Sequence, residues 1–102
     1  MAILHTVNKS PFDKNSLERA IGVAKDGSSV LLLEDGVYGA IKGSSKASMV
    51  SSAMQNLSFY VLGEDVKARG VSEDKLLDGI KVVDYAGFVD LVTQHDVTQS
   101  WL

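Results

Sequence analysis

Short apolar runs alternate with helical patterns along the chain. The runs at residues 3–7, 30–33, 59–62 and 80–83 each have the length of a β-strand. The second run is continuously apolar, which is typical of a strand that is covered on both faces of a parallel sheet. The pattern therefore predicts at least four strands separated by helices.

The connection between the first two predicted strands has the periodicity of an amphipathic helix. Ser16 is placed to cap its first turn through the side-chain hydroxyl, and Gly27 is placed to end it in a left-handed conformation. Four residues at positions i, i+3, i+4 and i+7 share the apolar face of this helix: Leu17, Ala20, Ile21 and Ala24.

Three further helical segments are predicted. One carries Ala47, Val50 and Met54 on one face with Met49 on its flank, and one is split into two short turns near residues 70–72. The last contains the apolar group at residues 88–92 and ends near His95. The alternation predicts a single domain over residues 1–102 with a three-layer αβα architecture of the flavodoxin or Rossmann type. We expect four parallel strands, with room for a fifth, short edge strand.

Composition and charge restrict the function. The chain has 102 residues, 45% of them hydrophobic and 23% charged, and its formal net charge is −3. Proteins that bind the phosphate backbone of nucleic acids need clustered Lys and Arg residues. Here these residues are scattered among acids, so we expect no direct nucleic-acid binding. The N-terminal residues lack a signal-peptide pattern, and no apolar run approaches the roughly 20 residues that span a bilayer. We therefore expect a cytoplasmic protein that does not bind membranes.

Polar residues follow the first two predicted strands. Because ligands of open parallel sheets bind at the carboxyl ends of the strands, Lys9, Ser10, Glu34 and Asp35 form a candidate strand-end polar cluster. The two acids could hold a metal or act as an acid/base pair, but no third ligand is near in sequence. We favour a turn that leads into a helix, where a helix dipole stabilises carboxylates. We expect no metal and no cofactor.

Both histidines have structural interpretations. His5 lies in a buried strand pattern, and His95 lies near a helix C-terminus, where an imidazole is electrostatically favoured. Neither has a nucleophilic partner that the sequence identifies. We therefore predict no catalytic residue.

Large apolar residues in the middle and at the end of the chain suggest a subunit interface. Aromatic residues and Met are enriched at interfaces, although these side chains could equally fold back onto their own domain. The candidate interface residues are Val37, Tyr38, Met49, Met54, Trp101 and Leu102.

Ordered stretches of the sequence resemble the DsrH/TusB family of sulfur-relay subunits. They are residues 4–12 (LHTVNKSPF), 31–38 (LLLEDGVY), 60–70 with the D-x-x-A-R-G turn, 83–91 (VDYAGFVDL) and the final Trp101-Leu102. The first and fourth stretches are closer to DsrH than to TusB. Together the matches cover nearly the whole chain.

The resemblance implies a subunit of a cytosolic sulfurtransferase complex of the DsrEFH or TusBCD type. Such complexes are heterohexamers of related α/β subunits that act in intracellular sulfur oxidation or in 2-thiolation of the tRNA wobble uridine. The implied partners are DsrE/DsrF-like or TusC/TusD-like chains, and the principal sulfur-carrying cysteine lies on the DsrE/TusD-type subunit. Self-pairing of the isolated chain stays open.

One position departs from the family. DsrH proteins often carry a cysteine in the first helix, and the aligned residue here is Ala20; the chain contains no cysteine at all. Persulfide transfer needs a thiolate, so this chain is predicted to be a non-catalytic subunit rather than an autonomous sulfurtransferase. The alternative is a stand-alone flavodoxin-like domain that binds a nucleotide or another small ligand.

Overall fold

A computed structural model describes residues 2–102. Its strands form one parallel sheet in the order β4-β3-β2-β1-β5. The strands are β1 (Ile3–Val7), β2 (Ser29–Leu32), β3 (Ser58–Leu62), β4 (Lys81–Val83) and β5 (Val97–Trp101). The four predicted strands and the parallel α/β architecture are confirmed, and the fifth, edge strand is β5.

Helices fill every connection between successive strands. The α-helices are α1 (Ser16–Val23), α2 (Ala47–Ala53), α3 (Gly63–Ala68) and α4 (Tyr85–Gln94), and 3₁₀ helices span Glu34–Ala40 and Glu73–Lys75. Helices α1, α2 and α3 lie in the connections from β1 to β2, from β2 to β3 and from β3 to β4. These connections extend the sheet on one side of β1. Helix α4 returns the chain to the other side of β1, where β5 pairs.

The core has two parts because the sheet has two faces. The larger cluster holds Val7, Leu17 and Phe59 and includes residues from α1, α2 and α3. The smaller cluster consists of Leu4, Leu31 and Leu91, so α4 is the helix that packs on the second face. One layer of the αβα arrangement is therefore much thinner than the other.

The start of α1 differs from the prediction. Asn15, not Ser16, is the N-cap residue, and its side chain makes no capping hydrogen bond. Ser16 is the first helical residue, and its hydroxyl is used in a tertiary contact with Leu102. Gly27 adopts the predicted left-handed conformation, with φ of 87°, but in the turn that precedes β2 and not at the helix end.

A glycine is required where the Glu34–Ala40 helix crosses β1. A Cβ atom on Gly36 would overlap the backbone carbonyl oxygen of Val7. Only glycine permits this approach without moving backbone. The close packing fixes the 3₁₀ segment against the carboxyl end of β1.

Candidate functional site

An ionic network connects the turns that follow β2 and β3. Nε of Arg69, at the end of α3, lies 2.9 Å from Oδ1 of Asp35. Nη1 of the same guanidinium lies 3.9 Å from Oδ1 of Asp65. The backbone N–H of Glu34 donates to Oδ2 of Asp65 at 2.6 Å. Of the two acids that could have formed an acid/base pair, Asp35 is therefore paired with a guanidinium, while Glu34 enters the network through its backbone amide.

Glu34 has an unusual backbone conformation. Its φ is 49°, a left-handed value that non-glycine residues adopt at a cost of roughly 1–2 kcal/mol. Its carboxylate accepts a hydrogen bond from Nδ2 of Asn8 at 3.4 Å, and its N–H is held by Asp65. These contacts hold the sharp turn between β2 and the 3₁₀ helix.

The predicted strand-end cluster does not form as a unit. Lys9 is exposed, and in the described part of the chain no side-chain hydrogen bond or ion pair involves it. Ser10 is buried, and its hydroxyl accepts the N–H of Phe12 in its own turn at 3.2 Å. Glu34 and Asp35 instead belong to the network described above.

Sequence reasoning missed the other members of this network: Asn8, Asp65 and Arg69. The i, i+4 spacing of Asp65 and Arg69 on a helix was the available signal. Among residues 2–102, no group of three His, Cys, Asp or Glu side chains could hold a metal ion.

The chain itself bridges the point where the strand order reverses. In open parallel sheets that point, here between β1 and β5, is where ligands bind. The hydroxyl of Ser16 donates to the carbonyl oxygen of Leu102 at 3.0 Å, which joins the start of α1 to the residue after β5. A ligand at this point would compete with that internal contact.

Both histidines make structural contacts. Nδ1 of His5, which is 3% exposed, lies 3.0 Å from the indole Nε1 of Trp101, and burial lowers the pKa of this imidazole below its ordinary value. His95 follows α4, and its ring nitrogens lie 2.6 Å from the carbonyl oxygen of Leu91 and 2.9 Å from the hydroxyl of Ser29. His95 therefore ties the end of α4 to β2.

An open groove of about 590 Å³ lies between α3 and the β4–α4 turn. Its walls mix two glycines with acidic, basic and apolar side chains: Gly63, Glu64, Lys67, Glu73, Val82, Val83, Asp84 and Gly87. The Asp84 side chain is already used as the N-cap of α4, where it accepts the N–H of Gly87 at 2.8 Å. Glu64 accepts the backbone N–H of Tyr85 at 3.4 Å, so two of the three acids that line the groove already have a partner.

The predicted interface residues divide by burial. Val37 is 1% exposed and lies in the large core cluster, so in the isolated chain its side chain packs within its own domain. Tyr38 is half-buried, and Met49 and Met54 are half-buried against the same cluster. Trp101 folds back onto His5, whereas the side chain of Leu102 is 80% exposed.

An exposed apolar stripe on α4 was not predicted as a surface. Tyr85, Val89 and Val92 lie at i, i+4 and i+7, and they are 59%, 60% and 40% exposed. Phe88 and Leu91 of the same helix pack on the second face of the sheet. The sequence signal was present, because the apolar residues of this helix occupy more of its circumference than one buried face requires.

Ala20, at the position of the family cysteine, is fully buried. Its exposed fraction is 0%, and it belongs to the large core cluster between α1 and the sheet. A side chain at this position faces the interior of the domain.

The chain matches known proteins over almost its full length. The family model of "DsrH like protein" matches residues 9–98. The chain is 33% identical to Protein TusB of Photorhabdus laumondii and 36% identical to Protein TusB of Erwinia tasmaniensis, in each case over 97% of this chain and 100% of the relative. The crystal structure of the ychN protein from E. coli has the same fold, with a TM-score of 0.81, 18% identity and coverage of 99% of both chains.

The family assignment rests on two independent sequence matches. The family model covers far more than half of the chain, and relatives above 30% identity align from end to end. Both agree with the stretches of sequence that resemble this family. The chain belongs to the DsrH/TusB family.

Proposed function

We propose that this chain is a non-catalytic subunit of a cytosolic sulfur-relay complex of the TusBCD or DsrEFH type. It would act in 2-thiolation of the tRNA wobble uridine or in intracellular sulfur oxidation, beside TusC/TusD-like or DsrE/DsrF-like chains in a heterohexamer. The observation that carries the proposal is the absence of cysteine from a member of this family. A persulfide forms on a thiolate, so a chain without one contributes shape and contacts to the relay but does not carry the sulfur.

The surface of the chain supports a role in docking. We assign the exposed stripe of Tyr85, Val89 and Val92 on α4 to contact with a partner subunit, because exposed apolar side chains at helical spacing gain stability when they are covered. The hydrogen bond between Ser16 and Leu102 lies at the point where the strand order reverses, and a small ligand bound there would compete with it. This contact therefore favours docking over the alternative of a stand-alone ligand binder. Among the described residues, no helix is long and apolar enough to cross a membrane.

Co-expression tests the proposal. The chain is produced with TusC- and TusD-like or DsrE- and DsrF-like proteins from the same genome, and the complex is isolated through a tag on one of those proteins. We expect co-purification, and we expect mass spectrometry after loading with a sulfur donor to find the added sulfur on the partner chains only. A chain that never co-purifies, or that itself carries a covalent sulfur adduct, contradicts the proposal.

A pair of variants on one helix tests the docking surface. Val89→Asp places a charge in the exposed stripe and should reduce capture by the partners, while Gln94→Asp places the same charge at an exposed position of α4 away from the stripe. Both variants should retain the melting temperature of the parent within a few degrees, because surface substitutions usually change stability by less than about 0.5 kcal/mol. Capture of the Val89→Asp variant at the level of the parent chain would remove the stripe from the interface.

A further inference from the structure

One edge of the sheet is open. Within residues 2–102, β5 pairs with β1 alone, and residues 97–100 are exposed while Trp101 is partly buried. An edge strand presents a row of N–H and C=O groups that another strand can bind. The outer side of β5 is therefore a template for strand addition.

The two edges of the sheet differ in their protection. The β4 edge is short, at three residues, and begins with a lysine, Lys81. Strand β5 has five residues, Val-Thr-Gln-Ser-Trp, and contains no charge, proline or glycine. Short length, charge and proline are the features by which proteins block edge-to-edge pairing, and β5 has none of them.

Side chains of β5 alternate between the two faces of the sheet. Trp101 reaches His5 and packs on the large core cluster, so Val97 and Gln99 share that face with it. Ser100 accepts a hydrogen bond from the hydroxyl of Thr6 at 3.3 Å, so Ser100 and Thr98 lie on the α4 face. Gln99 therefore has a hydroxyl residue next to it on each side and an apolar residue two positions away on each side.

We propose that β5 pairs antiparallel with β5 of a second copy of this chain, about a twofold axis at Gln99. In this register Val97 lies opposite Trp101 of the second copy, Thr98 lies opposite Ser100 of the second copy, and the two Gln99 residues face each other. The two five-stranded sheets then form one continuous sheet. The pairing is a property of the isolated chain and does not depend on the proposed function.

Complementarity favours a second copy as the occupant. Aromatic–β-branched and hydroxyl–hydroxyl pairs are favourable cross-strand neighbours, and each forms twice under the twofold axis. No like charges meet between residues 97 and 101, because this segment is uncharged. The carboxylate of the flanking Asp96 accepts the backbone N–H of Ala2 at 2.9 Å and is held by its own chain.

The register makes a charge-swap test decisive. Thr98→Lys with Ser100→Lys places lysines opposite each other twice, whereas Thr98→Glu with Ser100→Lys places a glutamate opposite a lysine twice. A control with Ser51→Lys and Ser52→Lys adds the same charge at exposed positions of α2. Sedimentation equilibrium of the isolated chain and of each variant, up to about 500 µM because a small interface binds weakly, measures the dissociation constant.

We expect the isolated chain to dimerise and the control to match it. The lysine–lysine variant should raise the dissociation constant at least about tenfold, and the glutamate–lysine variant should stay within about threefold of the parent. A monomeric parent chain, or lysine–lysine and glutamate–lysine variants with equal dissociation constants, overturns the proposal. Capture of the parent by sulfur-relay partners is a separate measurement, so failure here leaves the proposed function intact, and loss of capture leaves the self-pairing intact.

Discussion

The indole Nε1 of Trp101 donates a hydrogen bond to Nδ1 of His5 at 3.0 Å, although the two residues lie 96 positions apart in the sequence. Because Nδ1 accepts, the proton of the neutral imidazole is on Nε2. That atom is buried and has no hydrogen-bond partner among the described residues. This side-chain contact links β5 to β1 in addition to the backbone pairing of the two strands.

The first prediction concerns the pH dependence of folding. Burial lowers the pKa of His5 below its ordinary value of 6.5, so the unfolded chain takes up this proton at a higher pH than the folded chain does. The stability that depends on neutral His5 is fully present above pH 6.5, falls as the pH decreases from 6.5 towards the folded-state pKa, and changes no further below it. Urea unfolding at a series of pH values measures this effect.

His5→Phe is the control for this prediction because it removes the titrating group. The decrease in the free energy of unfolding that begins below pH 6.5 should become smaller in this variant. NMR titration of the His5 ring in the parent gives the folded-state pKa directly. A value at or above 6.5 would contradict the prediction.

The second prediction concerns the left-handed backbone of Glu34. At a φ of 49° a side chain is strained and glycine is not, so Glu34→Gly should be more stable than Glu34→Ala by about 1 kcal/mol. Glu18, exposed in α1, is a control with the opposite sign: there the alanine variant should be more stable than the glycine variant by about 1 kcal/mol. Chemical denaturation of the four variants measures both differences. The same order of glycine and alanine at both positions would show that residue 34 is not strained.

The third prediction concerns the position of the family cysteine. Ala20 is 0% exposed and Val23, on the same helix, is 60% exposed. A thiol introduced as Ala20→Cys should react with a disulfide reagent at least about a hundredfold more slowly than one introduced as Val23→Cys, because the buried thiol reacts only after local unfolding. Reaction rates under native conditions test this, and both variants should react alike in denaturant.

A fast reaction of the Ala20→Cys variant would show that α1 opens readily. Slow reaction would mean that a cysteine at residue 20 cannot exchange sulfur from this conformation of the chain, because the attacking thiolate must be accessible. In that case Ala20 is a packing residue of α1, whatever the family carries at this position.

Local patterns in the sequence determined most of the secondary structure. The four predicted strands form because apolar and β-branched runs of strand length favour extended structure, and α4 forms because its apolar residues recur with helical spacing. The charge of −3 and the absence of cysteine are likewise properties of the sequence alone. The secondary structure depends on neighbours along the chain, and the charge and the lack of cysteine depend only on composition.

Tertiary structure decided where distant residues meet. Strand β5 has no strong apolar alternation, and it is a strand because β1 offers it a backbone partner. Ser16 is a natural capping residue, but the carbonyl of Leu102 takes its hydroxyl. Val37 belongs to the core and Val89 to the surface, although both are apolar residues in helices, because the sheet face beneath α4 has room for only part of that helix's apolar surface. Such pairings depend on how the crossovers fold onto the sheet, which local periodicity does not encode.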